Sequence, residues 1–141
     1  MPNHPPGRNH RKLIAWQEAI KLVVLVYREA RSFPREELFG LTAQVKKSVN
    51  SIASNIAEGA ARNSSRELVQ FLGYANGSRA ETDSHLEVAV QLGFLRADSE
   101  VFLQLERVGQ LVTALRKSIR SRIDSDPGWS THNPTIHDPR L

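Results

Sequence analysis

The chain has 141 residues, 40% of them hydrophobic and 24% charged, which suits one globular domain with a single core. It contains no cysteine, so disulfides, thiolate metal sites and cysteine nucleophiles are excluded. The formal net charge is +4, and no apolar run approaches the roughly 20 residues of a membrane span.

The opening residues, Met1-Pro2-Asn3-His4-Pro5-Pro6-Gly7, lack the charged-then-apolar order of a secretory signal. Cytoplasmic residence is therefore the expectation, with residues 1–10 as a flexible arm. Arg8, Arg11 and Lys12 make this start basic, with no acid beside them.

Residues 11–30 predict the first helix. Trp16, Ala19, Ile20, Val23, Val26, Tyr27 and Ala30 form an apolar stripe at helical spacing. Leu22, Val24 and Leu25 add apolar surface on other sides, which a wide core contact or a neighbouring subunit would bury. Ser32-Phe33-Pro34 breaks the pattern, and Pro34 fits the first turn of a second helix, with Glu36 and Glu37 at its positive end. That helix is expected to reach at least Glu58, with Gly59 as its stop.

Two stripes run along the second helix. Leu41, Val45, Val49, Ile52 and Ile56 draw a buried face. Gln44, Ser48, Ser51, Asn55, Glu58 and Arg62 draw a polar line, a regularity that points to a seam shielded inside the bundle or between subunits. Packed beside the third helix, Asn55 and Glu58 are expected near the level of Ser78 and Glu81, with Arg62 and Arg79 as available cations. The seam reads first as a hydrogen-bonded network that fixes register and assembly, since buried polar groups need partners. A ligand site is the other reading.

Ser64-Ser65-Arg66-Glu67 is a capping box for the third helix. Leu68, Phe71, Leu72, Ala75, Ser78, Thr82, Leu86, Ala89 and Leu92 face inward on this pattern. Gly73 and Gly77 within it suggest close approach of another backbone, or else a locally weak helix. Gly93 ends the helix, and Asp98 or Ser99 caps a fourth that runs to about Ile123. Residues 124–141, with three prolines among turn formers, are expected as a flexible tail in which Trp129 alone has surface to dock. Four long helices with short connections predict an all-α, up-down-up-down antiparallel four-helix bundle over residues 11–123.

Catalytic constellations are not indicated, and no enzyme, cofactor or metal site is expected. Consecutive Asp83, Ser84 and His85 point in different directions on a helix. Glu81 and His85 recur once, where a di-iron bundle needs paired motifs. Arg62, Asn63, Ser64 and Ser65 form a generic anion-binding helix start. Arg116, Lys117, Arg120 and Arg122 cluster with no acid between Val112 and Ile123. They suit a helix C-terminus, and they also suit a phosphate-binding patch.

Trp16-Gln17-Glu18-Ala19, Phe33-Pro34, Phe39-Gly40-Leu41-Thr42-x-Gln44, Ser51-Ile52-x-x-Asn55-Ile56-Ala57-Glu58-Gly59 and Gly77-Ser78-x-x-Glu81 occur here in order. This string resembles the bacterial four-helix-bundle family of the 23S rRNA intervening-sequence protein, also labelled S23 ribosomal protein. The motifs cover residues 13–95, and the fourth helix fits by pattern. The resemblance implies a left-handed up-down bundle assembled into a homopentamer, of unestablished role. It also implies kinship with basic pentameric accessory proteins that bind nucleic acid and a reverse transcriptase. The family's polar positions map onto Gln44, Ser51, Asn55, Glu58 and Glu81. The run Arg79-Ala80 and Thr82-Asp83 departs from the leucine- and glutamate-rich pattern expected there.

The expected function is thus a non-enzymatic oligomeric module that binds RNA or DNA through phosphates. Arg8, Arg11, Lys12, Lys46, Lys47, Arg116, Lys117, Arg120 and Arg122 are the contact candidates. Few aromatics neighbour them in sequence, so base stacking is not indicated. The alternative is a scaffold that binds a protein partner; a membrane partner is not expected.

Overall fold

Wherever apolar residues recur at steps of three and four, a helix forms: α1 (Ile14–Ala30), α2 (Leu41–Ala61), α3 (Ser65–Gln91) and α4 (Val101–Ser125). The computed structural model describes residues 9–131, and no strand occurs among them. Expectations for residues 1–8 and 132–141, Arg8 included, fall outside the described residues. Each helix packs on the next, and α4 closes the ring against α1, giving the four-helix bundle that the pattern predicts. The starts of α1 and α3 and the ends of α2 and α4 therefore share one end of the bundle.

The core is built from side chains such as Leu22, Val45, Val49, Ile52, Ile56, Leu68, Leu72, Leu86 and Val108, all without solvent contact. On α1 the buried line is Ala15, Glu18, Ala19, Leu22, Val26 and Ala30. Ile20, Val24 and Tyr27, at 37%, 43% and 40% exposure, face out. This corrects the expected stripe: α1 is apolar around so much of its girth that spacing alone does not say which line turns inward.

Pro34 does not open α2. Arg35–Glu37 form a 3-10 turn, and Gly40 separates it from Leu41, where α2 starts. Glu37 still serves the helix start, because its carboxylate accepts the Leu41 N–H at 3.1 Å. At the other end Gly59 is no stop, since α2 continues to Ala61. Its lack of a side chain is a packing requirement: a Cβ there would stand 2.9 Å from Phe71 Cβ and 3.1 Å from Leu68 Cδ1.

Ser64 caps α3 by accepting the Glu67 N–H at 3.3 Å. Gly93 ends it at φ 79°, with the Phe94 N–H reaching back to the Ala89 carbonyl at 2.8 Å. Of the two residues expected to cap α4, Ser99 accepts the Val101 N–H at 3.3 Å, while Asp98 is held by Arg96 at 2.9 Å. Beyond α4, Pro127–Thr131 form a 3-10 turn. Trp129 docks there: its carbonyl accepts from Ser65 Oγ at 3.0 Å and its ring lies 4.5 Å beneath the Arg122 guanidinium.

One carboxylate is buried among the described residues. Glu18, 6% exposed, accepts from Arg107 Nε at 2.6 Å and lies 3.1 Å from Lys21 Nζ. Gln104 Nε2 donates to the Glu18 carbonyl at 2.9 Å, so this cluster ties α1 to α4. The Arg107 hydrogen bond holds the Glu18 carboxyl below its usual range against the opposing effect of burial, with Lys21 and Gln104 helping.

Alanine at Gly59 should destabilise the bundle by about 1–2 kcal/mol, because overpacking outweighs the gain in helix propensity. Alanine at Gly77, where a Cβ meets nothing within 4 Å, should stabilise it by about 0.5–1 kcal/mol. Urea unfolding of the two variants checks the opposite signs. For Glu18, a pKa lowered on folding means its contribution is complete above the unfolded value near 4.5 and is lost as pH falls through the folded value. Glu18→Gln should cost about 1–2 kcal/mol at pH 7, and melting curves of variant and parent should converge as the solution is acidified.

Candidate nucleic-acid interface

Helix α3 meets its two neighbours through different chemistry. On the α2 side the contact is made by hydroxyls. Ser48 and Thr82 Oγ atoms lie 2.9 Å apart, and both residues are buried. One turn on, Ser78 and Ser51 Oγ atoms lie 2.9 Å apart, and Asn55 Nδ2 donates to Ser51 Oγ at 3.0 Å and to its carbonyl at 2.8 Å. Thr82 also donates to the Ser78 carbonyl at 2.8 Å. Small side chains that satisfy one another let the helices approach closely without stranding a polar atom.

Of the seam residues expected from sequence, the structure gathers Ser48, Ser51, Asn55 and Ser78. Glu58 and Arg62 pair with each other at 2.8 Å along α2, with Glu58 54% exposed, and Gln44 and Glu81 are exposed. The expected register is therefore corrected: Ser78 sits level with Ser51 instead of Asn55, and Gly59 sits level with Phe71. Thr82, read from sequence as an apolar-stripe position, is the seam member that was missed. Its position four residues after Ser78 was the available signal.

On the α4 side, arginines lie across glycines. A Cβ at Gly109 would stand 2.5 Å from Arg79 Cδ, and one at Gly73 would stand 3.3 Å from Arg116 Nη2. Arg116 reaches over Gly73 to donate from Nε to the Val69 carbonyl at 3.1 Å. The α3 glycines thus do not admit another backbone, as sequence suggested. Gly73 admits a guanidinium, and Gly77 faces open space.

These arginines line a groove between α3 and α4. Three cavities of about 370, 320 and 480 Å³ follow one another along it, the first two sharing Arg116, Arg120 and Asp124, the last two sharing Thr113. Arg66 joins at one end and Arg79 at the other, with Lys117 between. Measured along α4 from Glu106 to Asp124, the groove is about 27 Å long. Among the described residues, no carboxylate lies within ion-pairing distance of Arg66, Arg79, Arg116, Lys117 or Arg120. Arg79 Nε and Asn76 Oδ1 are buried there without a hydrogen-bond partner.

The sequence-predicted cations divide accordingly. Arg116, Lys117 and Arg120 come together in the groove. Arg122 stacks on Trp129. Arg11, over the Trp16 ring at 5.5 Å, and Lys12 sit at the same end of the bundle but in the turn before α1, which packs on α1 and α2 and not on the groove. Lys46, over the Tyr27 ring at 4.8 Å, and Lys47 lie toward the opposite end. Arg66 and Arg79 were not among the candidates, because only the pairing of α3 with α4 brings them beside the α4 cluster. The helix start at Ser64 and Ser65 is occupied by its own cap and by Trp129. His85 Nε2 lies 3.5 Å from Glu81 Oε1, and no group of three or more metal-ligating side chains forms among the described residues.

Comparison with curated proteins finds no matching relative. The family model described as 23S rRNA-intervening sequence protein matches residues 11–114, from the turn before α1 to the middle of α4. That span includes the seam and the Arg79 end of the groove and stops before Arg116, Lys117 and Arg120; it confirms the resemblance carried by the Asn55-Ile56-Ala57-Glu58-Gly59 and Phe39-Gly40-Leu41-Thr42 motifs. The chain belongs to the 23S rRNA-intervening sequence protein family.

Proposed function

We propose that this protein is a non-enzymatic, oligomeric bundle of the cytoplasm that binds nucleic acid, RNA or DNA, through phosphate contacts in the α3–α4 groove. The observation that carries this reading is the line of five cations along the groove, where Glu106 and Asp124 are the lining carboxylates and neither is within ion-pairing distance of them among the described residues. Guanidiniums present several N–H donors each and keep their charge at any physiological pH. Such a line attracts phosphates in sequence and gives affinity without sequence readout.

Assembly belongs to the same proposal. Ile20, Val24 and Tyr27 form an uncovered apolar line on α1, and Phe39 is 93% exposed. A contact between copies covers this surface, and the family resemblance makes a homopentamer the expected form. A protein–protein scaffold is the second reading, favoured by the same Phe39 surface and by Leu38 at 50% exposure. Among the described residues no helix is long and apolar enough to cross a membrane.

Binding should weaken steeply between about 50 and 200 mM salt, as counterion release requires. Replacing Arg116 and Arg120 together by glutamine should flatten the log–log salt slope by about 1.5–2. Glutamine at Lys46 and Lys47 should leave it nearly unchanged. Affinity indifferent to salt, or no retention of RNA or DNA, overturns the nucleic-acid reading and leaves the scaffold. Sedimentation should report about five times the 15.8 kDa chain mass, and a monomer at micromolar concentration contradicts the assembly.

A further inference from the structure

We propose that a cleft between α1, α2 and the turn joining them is a docking site for an acidic peptide segment that carries one aliphatic side chain. The cleft holds about 250 Å³ and lies on the flank of the bundle opposite the α3–α4 groove. It stands independently of the nucleic-acid reading.

Its walls combine two chemistries. Phe33 and Thr42, 8% and 5% exposed, are its buried part, while Leu38 and Tyr27 leave apolar surface at the rim. Arg31, Arg35 and Lys46 stand around them, and no carboxylate lines the cleft. Glu37, in the same turn, is engaged by the Leu41 N–H at 3.1 Å. Among the described residues, no carboxylate lies within ion-pairing distance of the three cations. The groove differs, because Glu106 and Asp124 are part of its lining.

The walls are held in place without a partner. Phe33 packs on Phe94 at 6.1 Å between ring centroids, and its N–H donates to the Ala30 carbonyl at 3.1 Å. The Glu37 N–H donates to the Pro34 carbonyl at 2.9 Å. Tyr27 is fixed from α2, where Asn50 Nδ2 donates to its Oη at 2.9 Å and Lys46 Nζ lies 4.8 Å over its ring. Side chains already ordered lose less freedom on binding.

The same contacts select the occupant. Phe33 is buried and Lys46 covers a face of Tyr27, so little ring surface is left for a base to stack on. The cations ring one small cavity in place of forming a line. That cavity is below the roughly 300–1,000 Å³ of sites for drug-sized ligands, and it suits a single side chain. An aliphatic group seated against Pro34 and Leu38 brings the carboxylates beside it to Arg31 and Arg35, whose guanidiniums bind carboxylates through paired hydrogen bonds.

The test is fluorescence anisotropy of a labelled, end-blocked peptide, a central leucine with two glutamates on either side, on the full chain. It should bind saturably, and serine in place of its leucine should weaken binding about tenfold or more. Arg31→Gln with Arg35→Gln should weaken it by about 2- to 30-fold, whereas Arg116→Gln with Arg120→Gln should leave it unchanged. The Arg31 and Arg35 pair should leave nucleic-acid binding unchanged, so the two sites fail separately. Circular dichroism melting of both double variants separates loss of contact from loss of fold. No binding at about 1 mM peptide, as when a second copy covers the cleft, overturns the inference. So does equal affinity for the serine peptide, or loss of binding with the groove pair in place of the cleft pair. Displacement of the peptide by an RNA or DNA strand from the groove variant assigns the cleft to nucleic acid and overturns it as well.

Discussion

Helix α3 is fixed on one flank by hydroxyls and on the other by arginine stems, and the rest of the molecule follows from that difference. Toward α2, Ser48, Ser51, Ser78 and Thr82 satisfy one another in pairs. Gly59 gives up its side chain so that Phe71 and Leu68 can lie against the α2 backbone. Toward α4, Gly73 and Gly109 give up theirs to long cationic side chains. The aliphatic part of an arginine covers apolar surface while its head stays available to anions. One interface is therefore closed and polar within, and the other is open and charged along its length.

Much of this architecture was legible in the chain itself. The number and order of helices, the capping box at Ser64, the stop at Gly93 and the buried line of α2 all come from local patterns, and local patterns are what sequence carries best. The Ser51–Asn55–Ser78 cluster was legible as a shielded polar seam, though its register was not. Register depends on which turns of two helices meet, and here Gly59 against Phe71 settles it, a contact no single-helix pattern contains. For the same reason the groove was half legible. Arg116, Lys117 and Arg120 stand out as a cluster on α4, whereas Arg66 and Arg79 are dispersed along α3 and acquire meaning only when α3 lies beside α4.

Glycine illustrates the limit in another way. Gly59, Gly73, Gly77 and Gly109 all lie within helices. One meets a neighbouring helix, two seat arginines and one meets nothing. Their cost to helix propensity is the same, and only the facing surface tells them apart. The outward apolar line of α1 belongs to the same class of feature. It stands diagonally from α3, so an assembly built on α1 leaves the α3–α4 groove clear. Glu18 anchors that α1 position by tying it to Arg107 and Gln104 of α4.

Ultraviolet crosslinking of a thiouridine-bearing strand, followed by mass mapping of the attached peptides, is the measurement that decides whether nucleic acid lies along the α3–α4 groove as proposed. Attachment to peptides from residues 66–79 and 113–124 is the expected result. Attachment confined to α1, or to the Lys46 and Lys47 end of α2, would contradict it.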